Sequence, residues 1–162
     1  MSQPTTAQVI RVPNTLASKV GGRFGSIDPA AIARAEAALK SLSGNFAAWL
    51  DEEIAKLDLA NQQILDEGPT IAAMDTLYLR AHDLKGLGTT YEYPLVSRIA
   101  SSLCKLIEDK SKRGIASVPL VEAHIQGIKA AVRGQIKTDD HPVGAALIAE
   151  LERKVTDFIA GG

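Results

Sequence analysis

Three histidines are the side chains of this sequence best suited to nucleophilic or proton-transfer chemistry: His82, His124 and His141. An imidazole titrates near pH 6.5, so a neutral and nucleophilic form is available at cellular pH. His124 borders an apolar helical stripe and reads as a hydrogen-bonded structural residue. His141 lies between Asp140 and Pro142, where capping a helix is role enough. None of the three has a second His or a Cys at metal-ligand spacing, so no metal site is expected. The lone cysteine, Cys104, excludes an intramolecular disulfide framework and a multi-Cys zinc site, and reads as a small core residue.

His82 stands apart because of its position on its helix. At 100° per residue the apolar positions of residues 71–84 centre on one direction, and His82 falls roughly 95° from it, on the flank. Asp75, Leu79, His82 and Gly86 step by four, three and four residues and form one ridge. Lys85, three residues beyond His82, can bring its ammonium over the imidazole. Leu79 places a large apolar side chain partly outside the core, and Gly86 removes bulk where another backbone could approach. An accessible imidazole can accept a phosphoryl group, a cation can stabilise that group, and a flat apolar surround can dock a partner. The same spacing also fits a surface histidine beside an ordinary lysine, with Gly86 an early helix-end signal. Geometry alone weights the two readings equally.

The elements that must position this ridge are helical. Residues 1–27, interrupted by Pro4, Pro13, Gly21, Gly22 and Gly25, read as an extension, a mobile tail or a loosely docked arm. Asp28-Pro29 opens a helix by capping and by proline at its first position. Ile32, Ala35, Leu39 and Leu42 follow at helical spacing, then Phe46, Trp49, Leu50, Ile54, Leu57 and Ile64. Gly44 permits a break, so this is one long helix or two. Gly68-Pro69 stops it. A second helix is expected from Thr70, with Ile71, Met74, Leu77, Tyr78, Ala81 and Leu84 inward, ending around Gly86-Leu87-Gly88. A third should run from Pro94 to about Lys112-Arg113-Gly114. A fourth should open at Ser117 and Pro119 and carry Val121, Ile125, Ile128, Val132 and Ile136. A last amphipathic helix should occupy 142–160. Without any run of alternating β-branched residues, the expected fold is all-α: an antiparallel four-helix bundle with an additional C-terminal helix and the N-terminal extension.

Composition narrows the function classes without choosing one. The 162 residues are 46% hydrophobic, 4% aromatic and 23% charged, with a net charge of −1. That near-neutral balance argues against a dedicated nucleic-acid binder. No run approaches the ~18 apolar residues of a membrane span, and no signal-peptide core is visible. A cytoplasmic protein is the expectation.

The wording of the His82 segment goes further. Ala81-His82-Asp83-Leu84-Lys85-Gly86 resembles the A-H-x-L-K-G signature of histidine-containing phosphotransfer (HPt) domains. The continuation LGTTYEYPLVSRIASSLCKLIE, residues 87–108, is similar to the helical hairpin of that family, including its aromatic-x-Tyr-Pro turn. The resemblance spans about residues 30–136 and is detailed over 78–108. It implies an HPt-like bundle over 28–160 with its phosphoacceptor hairpin at 70–113. His82 would be the phosphoacceptor and Lys85 the stabiliser of the phosphoryl group. Asp75, Leu79, Asp83 and Gly86 would form the face that docks a response-regulator receiver domain. A phosphocarrier of this kind is not an ATP-using enzyme, and no G-x-x-x-x-G-K-[ST] loop is present. It needs no cofactor of its own, because the receiver would bring Mg²⁺. Its partners would be receivers and a hybrid histidine kinase, and the chain is expected to be a monomer. Many members have glycine where this chain has Glu92, a departure that bears on docking.

Two alternatives accompany that reading. One is the phosphoacceptor and dimerisation region of a sensor kinase, although Gly86-Leu87 replaces the Thr-Pro expected there. The other is a helical interaction module that transfers nothing.

Overall fold

The computed structural model describes residues 28–161, which are helical and, among the described residues, contain no strand. The extension expected at 1–27 lies outside them. The chain divides into two units, Met1–Ala38 and Leu39–Gly162. The described part of the first is the opening of a helix, α1 (Pro29–Glu67). Asp28 caps it, its carboxylate accepting a hydrogen bond from the Ala30 amide at 3.0 Å.

The second unit carries the rest of α1, then α2 (Ile71–Thr90), α3 (Pro94–Leu106), a 3₁₀ turn (Arg113–Ile115), α4 (Val118–Arg133) and α5 (Pro142–Gly161). Gly44 does not interrupt α1. Three of the expected boundaries fall elsewhere. The second helix runs through both Gly86 and Gly88 to Thr90, because helix-interior glycine costs only about 1 kcal/mol and packing supplies more. The third helix ends at Leu106 and not near Gly114; the Ile107 amide still reaches back to Leu103 and Cys104, and Arg113 then starts a separate 3₁₀ turn. The fourth stops at Arg133, so Ile136 packs from a loop.

The core is aliphatic, as the low aromatic content requires. Leu50, Leu57 and Ile64 of α1 share it with Met74, Leu77 and Leu84 of α2, Leu95, Ile99 and Leu103 of α3, and Ile125 and Ile128 of α4. The last helix joins through Ile148, Leu151 and Val155, against α3 and α4. Gly127 of α4 sits against Leu147 and Leu151, where a Cβ would already lie 3.4 Å from Leu147. Not every periodic apolar residue is buried. Ile71 is expected inward but is exposed, as are Val143, Phe158 and Ile159 at the two ends of α5. Polar links tie the helices further apart in sequence. Arg98 of α3 binds Glu152 of α5 at 2.9 Å, and Lys129 of α4 binds Asp58 of α1 at 2.9 Å.

Candidate site at the His82 ridge of α2

The sequence of α2 sorts its residues onto two faces. Thr70 caps its start, accepting a hydrogen bond from the Ala73 amide at 3.2 Å. Ala73, Met74, Leu77, Ala81, Leu84 and Gly88 turn into the core. Leu79, His82, Asp83, Lys85 and Gly86 are all exposed, Leu79 to 62%. The structure therefore brings the ridge residues together on solvent-facing surface.

Each ridge residue has its own surroundings. Asp83 forms an ion pair with Arg80 one turn back at 3.6 Å. Lys85 makes no ion pair among the described residues, so its ammonium stays available beside His82. Asp75 is engaged: it is the carboxylate partner of Arg113, so it holds a structural cation and does not present an open docking charge. Leu79 keeps its apolar surface free. At Gly86 an added Cβ would meet nothing within 4 Å, so no internal contact requires glycine there.

Two residues behind the ridge were not legible as site residues. Tyr78, one turn before His82, lies with its ring centre 6.1 Å from the imidazole and tilted by 32°. The Arg113 guanidinium lies over the Tyr78 ring, 4.1 Å from its centroid, within cation–π range. Arg113 is 3% exposed, and its Nε donates to the Ile107 carbonyl at 2.6 Å. The ordered series Asp75, Arg113, Tyr78, His82 thus braces the phosphoacceptor candidate from the interior. The four-residue step from Tyr78 to His82 could have suggested the ring pair. No local signal could have supplied Arg113, which is 38 residues from Asp75.

The turn after α2 fixes its end against α3. The Tyr93 amide donates to the Gly88 carbonyl at 2.7 Å, and the Thr89 amide donates to Ser97 Oγ at 2.8 Å. A Cβ on Gly88 would fall 2.6 Å from Ser97 Oγ, so this glycine serves close helix approach. Glu92 adopts φ +66°, the left-handed region that glycine enters at least cost. Its carboxylate accepts from Lys137 at 3.4 Å, which draws the departure noted in the sequence toward the loop before α5 and away from His82.

The other titratable candidates have structural work. His124 is fully buried; its Nδ1–H donates to the Leu120 carbonyl at 2.7 Å, so Nε2 accepts from the Ser102 hydroxyl at 3.0 Å. Burial pushes its pKa down, opposed by the Leu120 hydrogen bond. His141 Nδ1 accepts from the Val143 amide at 3.2 Å and so caps α5. Burial also pushes the Cys104 thiol up to about 11, with the Lys85 charge opposing, so this thiol is unreactive at neutral pH.

Among the described residues no group of three His, Cys, Asp or Glu could hold a metal ion. No helix there is long and apolar enough to cross a membrane. A cavity of about 600 Å³ lies at the other end of α3, lined by Lys105, Lys112, Ile115 and Phe158 among others, and His82 is not part of it. Among the described residues, His82 therefore sits on open surface with one free cation, one exposed leucine and one bare glycine around it. Compared with protein-family models, with characterised proteins and with solved structures, the chain matches none.

Proposed function

We propose that this chain is a histidine phosphotransfer protein of the HPt type, carrying a phosphoryl group between receiver-domain aspartates by way of His82. The observation that carries the reading is the exposed His82 with Lys85, unpaired among the described residues, one turn on, within the segment Ala81–Gly86 that resembles the HPt signature. In that reading α1 to α4 act as an antiparallel four-helix bundle whose second and third helices present the site, and α5 is an addition. The setting is a cytoplasmic two-component relay.

The chemistry follows from the surroundings of His82. The lone pair of its outward nitrogen attacks the phosphorus of an aspartyl phosphate on the receiver. The N–P bond forms as the P–O bond to the aspartate breaks, and the aspartate leaves as a carboxylate. Such a transfer depends mainly on positioning and on stabilising charge spread over the phosphoryl oxygens. Lys85 supplies a cation from this side, and the receiver would supply its own Mg²⁺. Leu79 offers apolar contact to the docked receiver, and Gly86 lets its backbone come close. Asp83, paired with Arg80, lies at the edge of that contact.

The test is transfer from receivers carrying labelled aspartyl phosphate. Label should appear on this chain in acid-labile form and be lost in His82→Gln. If no receiver labels the protein, or His82→Gln is labelled equally well, the phosphotransfer reading fails.

A further inference from the structure

An exposed imidazole on a helix, as at His82, has several orientations open to it. A χ1 near +60° clashes with the preceding turn, which leaves two χ1 wells, and χ2 is roughly two-fold. About four orientations therefore compete unless a neighbour removes some of them. Helical side chains lean back over the turn before their own Cα, so the imidazole of His82 inclines toward Tyr78 and away from Gly86. The two ring centres lie 6.1 Å apart with their planes tilted by 32°, within the range of an attractive aromatic pair. Tyr78 is half-buried and packs against the core.

Tyr78 is in turn held by a group with no freedom of its own. The Arg113 guanidinium covers its ring, and Arg113 is buried. Each guanidinium nitrogen of Arg113 donates: Nε to the Ile107 carbonyl at 2.6 Å, Nη1 to the Asp75 carboxylate and Nη2 to the Glu108 carbonyl at 3.5 Å. A planar cation bound at all three nitrogens is fixed in position and in rotation, so the cover it gives Tyr78 is fixed as well. We propose that Tyr78 is a positioning residue for His82. Its ring, fixed under Arg113, holds the imidazole in one orientation with a nitrogen toward solvent. Arg113 acts on His82 only through Tyr78. The orientation itself stands apart from the phosphotransfer reading, whereas its effect on rate rests on that reading. In-line attack needs the nitrogen lone pair aimed at phosphorus. Raising one orientation from about a quarter of the population to nearly all of it speeds transfer by up to about four-fold.

Nuclear magnetic resonance of the full chain reads the orientation directly. Three-bond couplings across χ1 of His82 should show one rotamer in the parent, a mixture in Tyr78→Leu and one rotamer again in Tyr78→Phe. Leucine keeps an apolar side chain against the core, so helical circular dichroism should be equal in all three. Arg113→Lys retains the charge but not the planar cover, and it should give a mixture with Tyr78 still in place. Transfer from a receiver carrying labelled aspartyl phosphate supplies the second readout. Tyr78→Leu should slow single-turnover transfer roughly two- to four-fold at saturating receiver, with the half-saturating receiver concentration unchanged. Tyr78→Phe should restore the rate. A role confined to stability would move neither the couplings nor that split. The proposal is overturned if His82 averages its rotamers in the parent, if Tyr78→Leu keeps a single rotamer, or if Tyr78→Phe loses it. A rotamer lost without any loss of rate overturns it too. If the parent takes no label, the phosphotransfer reading fails, and the couplings alone decide the role of Tyr78.

Discussion

Gly86 separates what the fold needs from what docking needs. It lies inside α2, four residues before the helix ends, with open space where its Cβ would be. Glycine in an exposed helix interior is about 0.8–1.0 kcal/mol less favourable than alanine. Gly86→Ala should therefore stabilise the protein by close to 1 kcal/mol, a rise of roughly 2–4 °C in Tm for a chain of this size. Gly88, two residues on, supplies the control. Its Cβ would lie 2.6 Å from Ser97 Oγ and 2.7 Å from the Ser97 amide nitrogen, so Gly88→Ala overpacks the α2–α3 contact. That change should cost about 1–3 kcal/mol. Docking runs the other way. Gly86 follows His82 by one turn on the same ridge, so under the proposed function any side chain there would rise into the path of a receiver. Transfer to His82 should slow from glycine to Gly86→Ala and further to Gly86→Gln, while both variants unfold at higher urea than the parent. Urea denaturation and single-turnover phosphotransfer, measured on the same preparations, give the two readouts. A less stable Gly86→Ala would reveal an internal contact and refute the assignment of open space. Transfer by Gly86→Gln at the parent rate would remove the docking role.

Three other substitutions probe the surroundings of the ridge. Glu92→Gly relieves the left-handed backbone at φ +66° and loses only an exposed pair with Lys137, so the unfolding free energy from urea denaturation should rise by about 1 kcal/mol; a fall would give that pair unexpected weight. Arg113→Met breaks the buried contact to Asp75 and the bond to the Ile107 carbonyl. The expected loss is roughly 3 kcal/mol, the low end for a broken buried pair because Asp75 keeps 41% exposure, and Arg113→Lys should rescue little of it. His124 sets a pH dependence. Burial holds its folded pKa below the ordinary 6.5, so the unfolded chain binds the extra proton first, and stability falls as pH drops below about 6.5. His124→Gln should flatten that part of the stability–pH curve, and a parent and variant with equal slopes between pH 7.5 and 5.5, measured by urea unfolding, would exclude His124 as its source.

The parts of the fold legible in the sequence were those decided by local chemistry. Asp28-Pro29, Thr70, Pro94 and Ser117 open helices because each either accepts a free amide or lacks one, and the structure uses them so. Helix ends at glycine were less legible. Gly86 and Gly88 look alike in sequence, yet the helix passes through both, since the penalty is small and buried neighbours outweigh it. Just past the end of α3 at Leu106, Arg113 reaches back to the Ile107 carbonyl, a contact that periodicity cannot signal. The candidate site divides in the same way. Its exposed members share one helix, so spacing placed Leu79, His82, Lys85 and Gly86 on one face, and the resemblance of Ala81–Gly86 marked that face as a site. Asp75 belongs to that ridge by spacing but to Arg113 by contact, and only the fold could decide between those claims.

The contrast between the front and the back of His82 argues for what kind of partner the site suits. Behind the ring, a buried guanidinium, an aromatic ring and a carboxylate hold one another in place, so the face is built on rigid supports. In front there is open surface, and the 600 Å³ cavity lies elsewhere. A small-molecule site gains affinity by enclosing most of its ligand, which a convex helix face cannot do. A phosphoryl donor reaching His82 must therefore bring its own walls, metal and water exclusion. In the proposed reading a macromolecular donor supplies these, with Leu79 and Gly86 as the contact and Lys85 as the charge. In the phosphotransfer reading, that division of labour would let a near-neutral chain take part in phosphoryl transfer with Lys85, unpaired among the described residues, beside its nucleophile.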